Sequence, residues 1–226
     1  MFPIRDNIPH KRFPVMNWIL ILVNLGVFLF QLTLNEEQLQ SFFYLFGLVP
    51  ARYSHPEWAS LLGIQADNYF PFITNIFLHG GWLHFLSNMW TLFIFGDNVE
   101  DRMGPFRYLG FYLLTGLAAS LTHFFIFQGS EIPALGASGA ISGVMAAYMF
   151  LFPYSRILLL FPILFIPFFF EVRAFIYIAL WFCLQLFNGM SVAMFKANSS
   201  GIAFWAHIGG FVAGFAIFSL FLRKKR

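Results

Sequence analysis

Charge is what this chain has least of. Lys, Arg, Asp and Glu make up 10% of its 226 residues, against about 25% in a soluble globular domain. Hydrophobic residues make up 59%, with 34 phenylalanines among them. Too little polar surface remains to clothe a water-soluble body, so a membrane protein is expected. Cysteine is almost missing: Cys183 alone cannot form an internal disulfide, and in its apolar run it reads as a small hydrophobe. The net charge of +3 comes from scattered ends and loops, which argues against nucleic acid as a partner. There is no internal repeat, low-complexity stretch or linker, so residues 1–226 read as a single domain.

A transmembrane helix takes about 20 mostly apolar residues. Six stretches approach that length: 17–34, 81–96, 106–127, 134–152, 174–195 and 202–222. The first lacks a small-residue cleavage site and reads as a retained span. A seventh apolar tract, 157–170, is shorter and holds Pro162 and Pro167, so it is expected to dip into the bilayer as a loop. Six spans put both termini in the cytoplasm with eleven of the thirteen Lys and Arg residues, leaving Arg52 and Lys196 outside. The resulting expectation is an all-α membrane protein, a six-helix bundle with a long external loop, 35–69, between the first two spans. That loop is rich in aromatics and reads either as a solvated loop with an aromatic belt or as a bilayer-embedded one.

Ionisable side chains within the spans are few, and such residues are functional candidates by default. His84 and Asn88 are four apart and share a helix face. His79 sits just before them, and His207 opens the sixth span. Ser138 lies in GASGAISG, 136–143, at the start of the fourth. Spans two, four and six run the same way, so all of these residues fall in the outer half of the membrane. Gly139 and Gly143, like Gly210 and Gly214, form G-x-x-x-G pairs that let helices approach closely. Packing of the two glycine faces would bring Ser138 toward His207, the arrangement by which a base activates a hydroxyl. Taken singly, each motif also fits ordinary helix packing with a satisfied histidine, as His55 and His123 do.

What is missing narrows the chemistry. No Asp or Glu lies in the outer half of a span, so only a Ser–His dyad is available there. H-E-x-x-H is absent, as is a facing pair of intramembrane aspartates. A histidine-only metal site from His79, His84 and His207 leaves Ser138 unexplained, and neither a metal nor a cofactor is expected. The start of the fourth span offers free backbone N–H groups for an oxyanion, and His84 and Asn88 offer side-chain donors. Two other classes compete. An escort that binds membrane proteins without cutting them would not need both Ser138 and His207, and a transporter would be expected to show repeats.

GASG at Ser138, HGGWLHFLSN at 79–88, GDNVEDRMG at 96–104 and AHIGG at 206–210 occur together and in order. On these motifs the chain resembles the rhomboid intramembrane serine proteases of the six-span type. The resemblance implies Ser138 as nucleophile and His207 as general base. It implies His84, Asn88 and the Ser138 backbone N–H as oxyanion stabilisers, His79 as a supporting residue, and Gly136 beside Gly139 at the serine. Gly96, Glu100 and Gly104 fit a G-x-x-x-E-x-x-x-G pattern in which Glu100 and Arg102 are structural. The implied substrates are single-span membrane proteins cut near the outer face of the lipid bilayer. The chain departs from some members at Phe70–Pro71, where they have Trp-Arg, and at Ser142, where they have an aromatic residue. The lack of an Arg- and Ser-rich leader points to a prokaryotic plasma membrane.

Overall fold

The computed structural model describes residues 2–163, 166–195 and 204–223. A first strand, β1 (Phe2–Asp6), precedes α1 (Val15–Gln31). Three short helices follow, α2 (Glu36–Phe46), α3 (Ala51–Ser54) and α4 (Pro56–Leu61). Then come α5 (Pro71–Thr74), a 3-10 turn at Asn75–Phe77, α6 (Trp82–Met103), α7 (Pro105–Ile126) and α8 (Ser138–Leu151). The hairpin β2 (Arg156–Ile163) and β3 (Ile166–Arg173) leads to α9 (Ala174–Phe195) and α10 (Phe204–Phe221).

The six long helices fall on the six apolar stretches. Among the described residues, α7, α9 and α10 are long and apolar enough to cross a membrane. The other three differ for physical reasons. The 22-residue α6 carries Asp97, Glu100, Asp101 and Arg102 in its last turns, and α1 and α8 have 17 and 14 residues. At 1.5 Å per residue, α8 is about 21 Å long in a hydrocarbon layer of about 30 Å. Only the interior of a bundle suits so short a helix, and eleven of its residues, Gly139 to Met149, are buried.

Small residues make that central position possible. A Cβ on Gly139 would lie 2.5 Å from the Ala119 Cβ, and one on Gly143 would lie 2.5 Å from the Thr115 Cβ, so α7 packs directly on this face. On the other side, a Cβ on Gly210 would overlap the Gly139 carbonyl, and one on Gly214 would lie 2.5 Å from the Gly143 Cα. The serine-bearing and histidine-bearing helices therefore meet backbone to backbone.

Polar anchors fix α1 against α6. Pro14 gives α1 no side-chain cap, and Glu100 fills the role by accepting from the Met16 and Asn17 backbone N–H groups at 3.1 and 2.8 Å. Asn17 in turn donates to the Leu92 carbonyl at 3.1 Å and accepts from the Tyr108 hydroxyl at 2.8 Å. A side chain at Gly96 would overlap this amide and hydroxyl. Gly104 ends α6 at φ +85°, where a Cβ would also strike the Arg223 guanidinium.

Residues 35–69 are not an open loop. Asn35 and Gln38 form a reciprocal capping box at the start of α2. Arg52, 1% exposed, donates from Nε to the Gln65 carbonyl and from Nη1 to the Leu45 carbonyl at 2.7 and 3.2 Å. Leu48 and Ala134 exchange backbone hydrogen bonds of 3.1 and 2.8 Å, which latch this layer to the segment just before Ser138.

The expectations of an all-α chain and of a dipping loop at 157–170 are both corrected. The tract belongs to a three-stranded antiparallel sheet ordered β1-β2-β3, with Leu158 opposite Glu171 and Pro162 opposite Pro167. Two prolines forbid a helix there, while the β-branched and aromatic residues around them favour strands. The N-terminal strand completes the sheet and pins it to α6, since Trp90 Nε1 donates to the Pro3 carbonyl at 2.7 Å.

Candidate active site

Ser138 is the first residue of α8, and the chain reaches it through a turn that needs glycine. Gly136 has φ +123° and donates its N–H to the Asn75 carbonyl at 2.9 Å. A Cβ there would lie 2.6 Å from His84 Nε2 and 3.6 Å from Asn88 Nδ2. Both α6 side chains therefore face the residues leading into Ser138, as their shared helix face requires. Asn88 Nδ2 is buried with no hydrogen-bond partner among the described residues. The first turn of α8 adds backbone N–H groups and the positive end of the helix dipole.

His207 Nε2 lies 2.7 Å from Ser138 Oγ. The other ring nitrogen, Nδ1, lies 2.8 Å from Gln185 Oε1 on α9. An amide oxygen can only accept, so Nδ1 carries the proton and Nε2 is left as the acceptor for the serine hydroxyl. The Trp181 ring lies 5.9 Å from the His207 ring, centroid to centroid. This indole is the aromatic neighbour of the imidazole. Ser142 instead turns back to donate to the Ser138 carbonyl at 2.6 Å.

His79 stands at the mouth of α6. Its backbone N–H donates to Gln31 Oε1 at 3.1 Å, and its carbonyl accepts from Gln31 Nε2 at 2.6 Å. Its ring is 5.3 Å from the His84 ring, and neither ring nitrogen has a partner among the described residues. His123, expected as a satisfied histidine, is 9% exposed, and its Nδ1 has no partner among the described residues. With Ser120 and Asn75 it lines a cavity of about 20 Å³ that reaches Ser138, roughly the space one water needs.

Sequence reasoning missed Gln185 and Trp181. The usable signal was weak: Gln185 and Asn188 are the two amides in 174–195, and nothing local tells which faces the imidazole. No cluster of three metal-ligating side chains occurs among the described residues.

An apolar helical bundle with helices long enough to cross a membrane, its central serine in contact with an imidazole from a neighbouring helix, defines a class of integral membrane proteins. The Rhomboid domain family model matches residues 66–224, and the chain belongs to the rhomboid family. It is 33% identical over 138 residues to Rhomboid-like protein 11, chloroplastic, of Arabidopsis thaliana, covering 61% of this chain and 42% of that protein. RHOMBOID-like protein 5 of the same plant is 32% identical over 154 residues, covering 68% and 44%. YdcA of Bacillus subtilis (strain 168) is 30% identical over 118 residues, covering 50% and 58%. The chain spans about half the length of the curated relatives it matches.

Proposed function

We propose that this chain is an intramembrane serine endopeptidase that cuts single-span membrane proteins in or beside their transmembrane segments. The observation that carries the reading is the relay from Ser138 Oγ through His207 to Gln185, with contacts of 2.7 and 2.8 Å. Ser138 is the nucleophile and His207 the general base. Gln185, which touches no reacting atom, positions the imidazole. As Oγ attacks the scissile carbonyl carbon, its proton passes to Nε2. The oxyanion is held by the Ser138 backbone N–H with His84 and Asn88, while His79 supports His84. The imidazolium then protonates the leaving amine. Water, deprotonated by His207, attacks the acyl-enzyme carbonyl, and the acid leaves as Ser138 regains its proton.

Six spans and cytoplasmic termini complete the reading, with residues 1–226 acting as one membrane domain. On this reading the 14-residue α8 starts within the hydrocarbon layer, and Ser138 at its first position would meet water through a hollow from the outer side. Which membrane holds the protein is a separate matter. Relatives named for chloroplasts, mitochondria and a bacterium do not favour a prokaryotic plasma membrane over an organelle.

The test is cleavage of a single-span reporter in proteoliposomes. Wild type should cut it, and Ser138→Ala and His207→Ala should each lose about a hundredfold or more of the rate. Reporter binding without cleavage by wild type would instead identify a non-proteolytic binding protein.

A further inference from the structure

The end of the bundle where the chain enters α1 and leaves α10 holds a cleft that the serine chemistry does not use. Its volume is about 660 Å³, and its charged lining is Lys11, Arg12, Arg102, Arg223 and Asp101. The cations are brought together by backbone contacts. Asp101 accepts from the Lys11 and Arg12 backbone N–H groups, the second at 3.1 Å, which binds the chain before α1 to the end of α6. Across the cleft, the Arg223 N–H donates to the Arg102 carbonyl at 3.0 Å, and Arg107 Nη1 donates to the Leu222 carbonyl at 2.8 Å.

Asp101, the carboxylate in the cleft lining, is thus occupied by backbone donors, and Glu100, near enough to feel the Arg223 charge, is occupied by the Met16 and Asn17 N–H groups. Among the described residues the ion pairs are His10–Asp97 and Arg156–Glu171, and neither includes a cation of the cleft. The Arg102 guanidinium carbon lies 5.6 Å from the centroid of the Phe152 ring, a cation–π contact on the cleft wall. Phe152 and Leu222 form an apolar wall. Just outside, Phe13 and Phe106 are 68% and 82% exposed, side chains suited to a membrane surface.

We propose that this cleft binds the phosphate ester of an anionic glycerolipid. Lys11, Arg12, Arg102 and Arg223 would meet the phosphate, and Phe152 and Leu222 the start of an acyl chain. Basic clefts of this kind at a membrane surface select charged headgroups, and guanidinium edges match phosphate oxygens. A bound lipid would bridge the chain before α1 to the end of α10, which Asp101 and Arg102 already hold near one another. The inference stands apart from the protease reading and survives its failure.

The test is native mass spectrometry of the full chain in neutral detergent, titrated with dioleoyl phosphatidic acid, phosphatidylglycerol or phosphatidylcholine. The two anionic lipids should bind at a saturable site, and phosphatidylcholine should not. Arg102→Gln and Arg223→Gln should each weaken binding about fivefold. Lys11→Gln with Arg12→Gln, on the exposed chain before α1, repeats the test if the arginine variants fold poorly. Soluble glycerol phosphate should compete only weakly; full competition at equal concentration would assign the same phosphate-ester site to a soluble ligand and overturn the lipid source. Equal binding of all three lipids would contradict the proposal. So would an equal loss in Arg173→Gln, whose guanidinium lies over Tyr154 outside the cleft.

Discussion

In the proposed mechanism, the atom that decides whether Ser138 is reactive is Nδ1 of an imidazole on another helix. With no carboxylate nearby, an amide holds it. A neutral amide orients a ring without adding a second buried charge, whose desolvation would be severe at this depth. Gln185→Leu keeps the approximate volume but removes the acceptor. We expect it to lower kcat about tenfold with KM nearly unchanged, the loss of one net hydrogen bond. Gln185→Glu restores an acceptor and should recover part of the rate. Reporter kinetics in detergent measure both, and an unchanged kcat in Gln185→Leu would remove the amide from the account. The meeting of Ser138 with His207 was legible because glycine pairs flank both and their helices run the same way. Serine itself is not rare: Ser87, Ser120, Ser142, Ser191 and Ser219 also lie in apolar stretches. Gln185 and Trp181 were not legible, because contacts between α9 and α10 depend on a helix rotation that sequence does not fix.

Elements meet here through glycine where helices cross and, at the start of α1, through the Glu100 carboxylate. Gly214→Val would force a branched side chain into the Gly143 backbone, so a loss of about 1–3 kcal/mol is expected, read as a lower unfolding midpoint in detergent. Glu100→Ala strands the Met16 and Asn17 N–H groups of α1, which should cost about 1.5–3 kcal/mol by the same assay. Asp6, at the end of β1, gives a pH dependence. Burial raises its carboxyl above the usual range, outweighing the hydrogen bond from Tyr148 that lowers it. The folded state therefore holds this proton more tightly than the unfolded chain does. The stability Asp6 contributes is fully present below the ordinary carboxylate value of about 4 and is lost as pH rises through the elevated folded value. Asp6→Asn should flatten that part of a plot of melting temperature against pH; an unchanged slope would count against it. The long helices were readable from apolar length, except that α6 runs past Gly96 through charged residues to Met103. The sheet was not, because pairing β1 with β2 joins residues such as Phe2 and Leu160 that lie far apart in sequence.

For the molecule as a whole, the distribution of charge and the short α8 point to one arrangement. Cations gather where the chain enters α1 and leaves α10, and Ser138 lies at the start of α8, beside a small cavity lined by Asn75 and His123. A cysteine placed at Asp67 in a Cys183→Ala background should react with an impermeant maleimide from the outside of sealed cells. One placed at Lys11 should react only after permeabilisation. Labelling of both from one side would overturn the six-span topology. Composition already required a membrane, and the order of motifs already gave the family resemblance. The folding of 35–69 into helices was hidden, because its anchors are a buried arginine and a two-residue backbone bridge rather than a periodic pattern.

The central claim is that Ser138 is a nucleophile activated by His207. The most direct measurement is adduct mapping: treat the detergent-solubilised protein with a fluorophosphonate, then locate the added mass by peptide analysis. One adduct at Ser138, lost in both Ser138→Ala and His207→Ala, is the predicted result. An adduct on another residue, or labelling at Ser138 that persists undiminished without His207, would contradict the account.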